Sequence, residues 1–221
     1  MCQRSEHRWS LRHETSLNYW PVFRQAREFT TDDFNAIDPN VVFDEKGAPW
    51  LSFGSFWGGI KMRRLDAKSG KPSTSDQTLY SLAARKKPGN HESAKPGLPP
   101  NWRAIEAPFI FRHGNYYYLF VSYDLCCRGT NSTYKIAVGR SLKVTGPYLD
   151  KEGVPMMDGG GSVILTGNRR WVGPGGESVS RGHGGDLIAF HAYDGSSGRP
   201  SLLISTVAWN DGWPEIALPD R

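Results

Sequence analysis

The chain has 221 residues, of which 25 are glycine and 15 proline, and that density of turn-formers excludes a protein built on long helices. Its 8 tryptophans, 9 tyrosines and 10 phenylalanines suit short strands with large half-buried side chains, so an all-β fold is expected. The net charge of +5 is scattered over Arg63-Arg64, Arg85-Lys86-Lys87 and Arg169-Arg170, which argues against a nucleic-acid partner, and no apolar run approaches the roughly 18 residues of a membrane-spanning helix.

Met1 to Trp20 carries Arg4, Glu6, Arg8, Arg12 and Glu14 without an apolar core, so no secretory signal is read there. Asn40 to Phe43, the turn Asp44-Glu45-Lys46-Gly47 and Pro49 to Phe53 read as a hairpin, with Gly47 supplying the positive φ of the turn. Gly59 to Leu65 follows as a third strand, and Ser69 to Pro100, rich in Lys, Ser, Pro and Gly, reads as a surface excursion. Pro108 to Arg112, the turn His113-Gly114-Asn115, Tyr116 to Tyr123 and Tyr134 to Ser141 repeat the figure. Asp186 to Tyr193 and Pro200 to Val207 repeat it again, while Gly153 to Gly161 and Gly173 to Gly185 read as loops. Uneven spacing of about 70 to 80 residues points to propeller blades around a central channel rather than to a short-period solenoid.

Three cysteines do not make a disulfide framework, and the adjacent pair Cys126-Cys127 lacks the spacing of zinc ligands. The pair reads as two small buried residues at a strand end rather than as a disulfide. Gly159-Gly160-Gly161 lacks the Lys and hydroxyl of a phosphate loop, and Gly173-Pro174-Gly175-Gly176 would break the helix that a dinucleotide site needs.

Two acids stand out by their company. Asp38 in Asn35-Ala36-Ile37-Asp38-Pro39-Asn40 and Glu106 in Ala104-Ile105-Glu106-Ala107-Pro108-Phe109 are each flanked by Ala and Ile, followed by Pro, and placed ahead of an apolar strand. On the innermost strands of neighbouring blades they would face one channel, where desolvation raises a carboxyl's pKa as a general acid requires. The alternative is an acid that caps a turn before Pro; the recurrence of the environment favours chemistry.

With Leu51 to Ile60, Tyr116 to Ser122, Cys126-Cys127-Arg128-Gly129, Asn131 to Lys135 and His191-Ala192-Tyr193-Asp194, these motifs resemble the endo-1,5-α-L-arabinanases of glycoside hydrolase family 43, from about Asp33 to Asp211-Gly212-Trp213-Pro214. The resemblance implies a five-bladed β-propeller, here incomplete: residues 1–32 are a divergent remnant, residues 33–221 the remaining blades, and the first blade and part of the second are missing. It implies inverting cleavage of α-1,5-arabinofuranosyl linkages in arabinan or arabino-oligosaccharides, with Glu106 as general acid and Asp38 tuning its pKa and orienting the reacting groups. An inverting enzyme also needs a carboxylate base roughly 6.5 to 9.5 Å from the acid. The family carries it in an N-terminal His-Asp-Pro type of motif with no counterpart here, and Asp32 and Asp33 lie too close to Asp38 to replace it. A truncated chain of impaired activity is therefore expected.

By the same resemblance His191 faces a calcium ion held mainly by water, an oxygen-preferring cation with one imidazole donor. Trp57 is the expected stacking platform for a furanose, Asn35 and Ser55 its hydrogen-bond partners, and Arg128 and Asn131 the cleft lining, whereas Phe53, Phe56, Tyr117 and Tyr118 are packing residues. The sequon Asn131-Ser132-Thr133 would stay unmodified in a cleft. Gly173-Pro174-Gly175-Gly176-Glu177 departs from the family's Gly-Pro-Gly-His-Asn. A monomer without nucleic-acid or membrane partners is expected, extracellular like its family, a truncated start accounting for the missing signal. An exo-acting arabinofuranosidase or β-xylosidase, or a carbohydrate-binding pseudoenzyme, are the alternatives.

Overall fold

The computed structural model describes residues 35–56, 58–85 and 104–219. Glycine-punctuated apolar runs fold there into three four-stranded antiparallel sheets, each a meander in chain order. Sheet 1 comprises β1 (Asn40–Phe43), β2 (Pro49–Phe53), β3 (Ile60–Arg64) and β4 (Tyr80–Ala83). Sheet 2 comprises β5 (Ile105–His113), β6 (Tyr116–Tyr123), β7 (Lys135–Ser141) and β8 (Ser162–Thr166). Sheet 3 comprises β9 (Trp171–Gly182), β10 (Gly185–Asp194), β11 (Pro200–Asn210) and β12 (Trp213–Ile216). The first hairpin shows how the turns are specified: Asp44 Oδ1 accepts the Lys46 and Ala48 N–H groups at 2.9 and 2.8 Å, and Gly47 takes φ +76°.

Period-two alternation along β6 decides how the sheets stack. Tyr117, Leu119, Val121 and Tyr123 pack with Val42, Trp50, Ile60 and Met62 of sheet 1. Tyr118 and Phe120, pointing the other way, pack with Ile188, Phe190 and Leu203 of sheet 3. Sheet 2 is thus apolar on both faces and shared by two cores. Leu51, Phe53 and Leu65 form a smaller cluster on the other face of sheet 1. The first strands adjoin, β1 beside β5 and β5 beside β9, and Asn40 Oδ1 accepts the Ile110 N–H at 2.9 Å across the first junction.

Three expectations need correction. The segment from Gly173 to Gly185, read as a loop, supplies most of β9, so Asp186 to Tyr193 belongs to the second strand of its sheet and not the first. At Gly173, Gly175 and Gly176 neighbouring side chains occupy the space a Cβ would take. Tyr80 to Ala83, inside the expected excursion, is β4, and β3 pairs with it. Cys126 and Cys127 form a disulfide, with Cys126 half-buried and Cys127 exposed. Asp124 and Cys127 both lie at positive φ, +69° and +63°, and this turn after β6 leaves the two sulfurs near solvent instead of in the core. No helix among the described residues is long and apolar enough to cross a membrane.

Candidate active site

The site starts from a fault in β5. The register shifts between Glu106 and Phe109, leaving Ala107, at φ +54°, out of the ladder with β6. Its freed N–H is accepted by Asp38 Oδ2 at 3.0 Å. Asp38 is itself at φ +56°, a conformation that side-chain-bearing residues hold only where their surroundings enforce it. Those surroundings are backbone bonds: Asn35 N–H to Ser55 O at 3.1 Å, Gly54 N–H to Ile37 O at 2.9 Å, and Phe56 N–H to Ile105 O at 2.7 Å. They fix the end of β2 against β5, so that the buried Ser55 hydroxyl donates to Glu106 Oε2 at 2.8 Å.

The other carboxyl oxygen, Glu106 Oε1, accepts the Tyr134 hydroxyl. Tyr134 stands just ahead of β7, and its ring lies 5.8 Å from that of His191 on β10. Across β5 and β6, Glu106 pairs with Ser122, whose hydroxyl donates to Glu177 Oε2 at 2.7 Å and accepts the Gly176 N–H at 2.8 Å. Glu177 is only 4% exposed, and among the described residues neither its Oε1 nor the buried His191 Nε2 has a hydrogen-bond partner. The glycines of β9 make room for this cluster. A Cβ at Gly175 would run into the Tyr134 ring and lie 2.8 Å from Ser122 Oγ, and one at Gly176 would lie 2.9 Å from His191 Nδ1.

Burial dominates the electrostatics. Desolvation raises the Glu106 pKa, the hydroxyls of Tyr134 and Ser55 pull it back, and the charge of Asp38 pushes it up again. Asp38 is raised by burial against the pull of the Ala107 N–H. Glu177 is pushed up to about 8, first by burial, with Asp38 adding to it, and so carries a proton at neutral pH. Tyr134 is raised by burial and by Glu106, Glu177 and Asp38, and holds its proton. His191 is lowered by burial, which leaves a neutral imidazole.

Of the residues expected from the sequence, Asp38, Glu106, Ser55 and Asn35 come together at the junction of sheets 1 and 2, with His191 reached through Tyr134. Ser55 is committed to Glu106 and 1% exposed, so it is no ready partner for a sugar. Trp57, Asp32 and Asp33 lie outside the described residues, as does the remnant segment of residues 1–32. Arg128 is half-buried and Asn131 exposed, on a loop whose Cys127 N–H donates to Tyr193 OH at 3.0 Å; Tyr193 in turn packs edge-on to His191. The sequence reading did not single out Tyr134, Ser122 or Glu177 as site residues. The alternation Glu177-Ser178-Val179-Ser180, buried then exposed, was the available signal for a strand that aims Glu177 inward.

The sequence matches the family model described as glycosyl hydrolases family 43 over residues 21–214. It is 48% identical over 189 residues to the extracellular endo-α-(1→5)-L-arabinanase 1 of Bacillus subtilis (strain 168), covering 85% of this chain and 53% of that protein. It is 44% identical over 187 residues to the extracellular exo-α-(1→5)-L-arabinofuranosidase of Cellvibrio japonicus (strain Ueda107), covering 84% and 52%. The fold superimposes on the Cellvibrio cellulosa α-L-arabinanase complexed with arabinohexaose with a TM-score of 0.75 at 42% identity, over 85% of this chain and 58% of that one. The chain thus spans about half the length of the curated relatives it matches.

Proposed function

Because the chain belongs to glycosyl hydrolase family 43, we propose that its sheets are blades of a β-propeller and that it acts on α-1,5-linked arabinofuranose chains with inversion, through Glu106 as general acid. The observation that carries this reading is the Glu106 carboxyl, held on both oxygens by hydroxyls and raised in pKa beside Asp38. Protonated Glu106 gives its proton to the glycosidic oxygen as the bond to the anomeric carbon breaks. Water adds to the opposite face and its proton passes to a carboxylate base. Asp38 supports the acid twice, by fixing the Ala107 backbone and by raising the Glu106 pKa with its own charge. The resemblance places the base in a family motif that these 221 residues do not include.

The two curated relatives differ in endo and exo action, and endo cleavage follows the stronger match. A calcium ion fits in one way only. His191 Nε2 is buried, with its pKa lowered and no hydrogen-bond partner among the described residues, and no group of three or more His, Cys, Asp or Glu among those residues could hold a metal, so water would supply the remaining ligands. When bound, the ion would add positive charge to the site. An extracellular setting agrees with the Cys126–Cys127 disulfide.

The test is incubation of the chain with linear arabinan, following product size by chromatography and anomeric configuration by NMR. Slow release of oligomers of inverted configuration, abolished in Glu106→Gln, is expected. Turnover that survives Glu106→Gln overturns the reading, and oligosaccharide binding by calorimetry without any hydrolysis favours the binding protein that a missing base would leave. A calcium chelator should lower the thermal midpoint of the parent chain and leave that of His191→Ala unchanged.

A further inference from the structure

We propose that Tyr134 is a positioning residue for Glu106: its hydroxyl reserves Oε1 as an acceptor and so confines the acid's proton to Oε2, the oxygen that faces Ser55. The proposal rests on the reading of Glu106 as the acid and deepens it. A phenol has one hydrogen to give. Tyr134 is 5% exposed with its hydroxyl placed at Glu106 Oε1, and a phenol of ordinary acidity keeps its hydrogen near neutral pH. The hydroxyl therefore stays protonated and donates to Glu106 Oε1.

Ser55 differs in kind, because a serine hydroxyl rotates and can either donate to a carboxylate or accept from a carboxylic acid. Its Oγ, 2.8 Å from Oε2, suits that oxygen with or without a proton, whereas Tyr134, as a donor, suits Oε1 only while that oxygen carries none. The two carboxyl oxygens are thus unequal, and the proton available for transfer sits on the edge toward the end of β2. The phenol cannot easily swing away. Its ring is pressed against Gly175, where a Cβ would collide with it, and packs on His191. Among the described residues, Glu106 is surrounded by Asp38 ahead of β1, Ser55 after β2, Ser122 on β6 and Tyr134 ahead of β7, with Glu177 on β9 and His191 on β10 behind the phenol.

The experiment is carbon-detected NMR titration of the full chain labelled at the glutamate carboxyls, with the Glu106 signal assigned by its loss in Glu106→Gln. Tyr134→Phe should raise the Glu106 midpoint by about one pH unit or more, the size expected for a hydrogen bond to a charged acceptor. Ser55→Ala should move it by clearly less. An unchanged or lowered midpoint in Tyr134→Phe, or a Ser55→Ala shift as large, overturns the proposal. If Tyr134→Phe does not fold, the parent chain answers: the Tyr134 hydroxyl proton must correlate with the Glu106 carboxyl carbon across the hydrogen bond, and absence of that correlation overturns the proposal. A chain that hydrolyses no arabinan yet shows the Tyr134-dependent midpoint keeps the proton assignment and loses the hydrolase reading. A chain that hydrolyses arabinan through Glu106 with an unmoved midpoint does the reverse.

Discussion

Three carboxyls and one phenol share a space with no lysine or arginine among their hydrogen-bond partners in the described residues, so at the level of single residues the question is which of them carries a proton. Glu177 does so most firmly, being pushed from 4.5 to about 8. Its folded form binds the proton more tightly than its unfolded form. The stability this contributes is complete below the unfolded value, declines as pH rises toward 8, and is absent above it. Glu177→Gln keeps an acceptor for the Ser122 hydroxyl and cannot ionise. Its stability relative to the parent should therefore grow by on the order of a few kcal/mol between roughly pH 5 and pH 8.5, read as the difference in urea midpoints at the two pH values. A difference that stays flat, or shrinks toward high pH, would mean that Glu177 is ionised in the folded chain near neutrality. Glu106 and Asp38 are raised as well, Glu106 against two hydroxyl donors and Asp38 against the Ala107 N–H, whereas Glu177 has the Ser122 hydroxyl on one oxygen and no partner among the described residues on the other.

At the scale of elements, β9 carries Glu177 and makes room for Tyr134 and His191, and it is the strand the sequence hides best. Its Gly175 has no unusual φ, so the position excludes larger residues on steric grounds alone, through Tyr134 and Ser122. Gly175→Ala should cost about 1–3 kcal/mol, roughly 3–10 °C in thermal midpoint, and shift the Tyr134 ring signals. Gly184→Ala, in the turn beside it with open space around the new methyl, should be near neutral in the same melt. A Gly175→Ala variant as stable as the parent would show that Tyr134 is not held there. The hairpins β1–β2 and β5–β6 were legible because apolar alternation and a turn glycine coincide, as at Gly47 and Gly114. In β9 the glycines answer to neighbours distant in sequence, and local punctuation misreads them as a loop. The same limit applied to the site. Asp38 and Glu106 could be picked out by their flanking Ala, Ile and Pro, whereas Tyr134, Ser122 and Glu177 matter through partners 28 to 55 residues away, and only the stacking of sheets brings them together. The Cys126–Cys127 bond escaped because burial, the premise for keeping the thiols apart from redox chemistry, does not hold at an exposed turn.

For the whole molecule the decisive feature is the doubly apolar sheet 2. Its β6 sends Leu119 into the core shared with sheet 1 and Phe120 into the core shared with sheet 3, and neither side chain is exposed to any measurable degree. Sheet 1 and sheet 3 meet the rest of the chain through this strand, through the Asn40 to Ile110 bond and through the carboxyl cluster. The fold should then open as a unit. Phe120→Ala removes a side chain from the second core and should cost about 3–5 kcal/mol. Protection from hydrogen exchange should fall by a similar amount in peptides covering β2, on the far side of sheet 2, and in those covering β10, which Phe120 touches directly. If protection falls in β10 while β2 keeps its full value, the sheets unfold separately. The geometry around Glu106, assembled from all three sheets, would then depend on a junction that opens before the fold does.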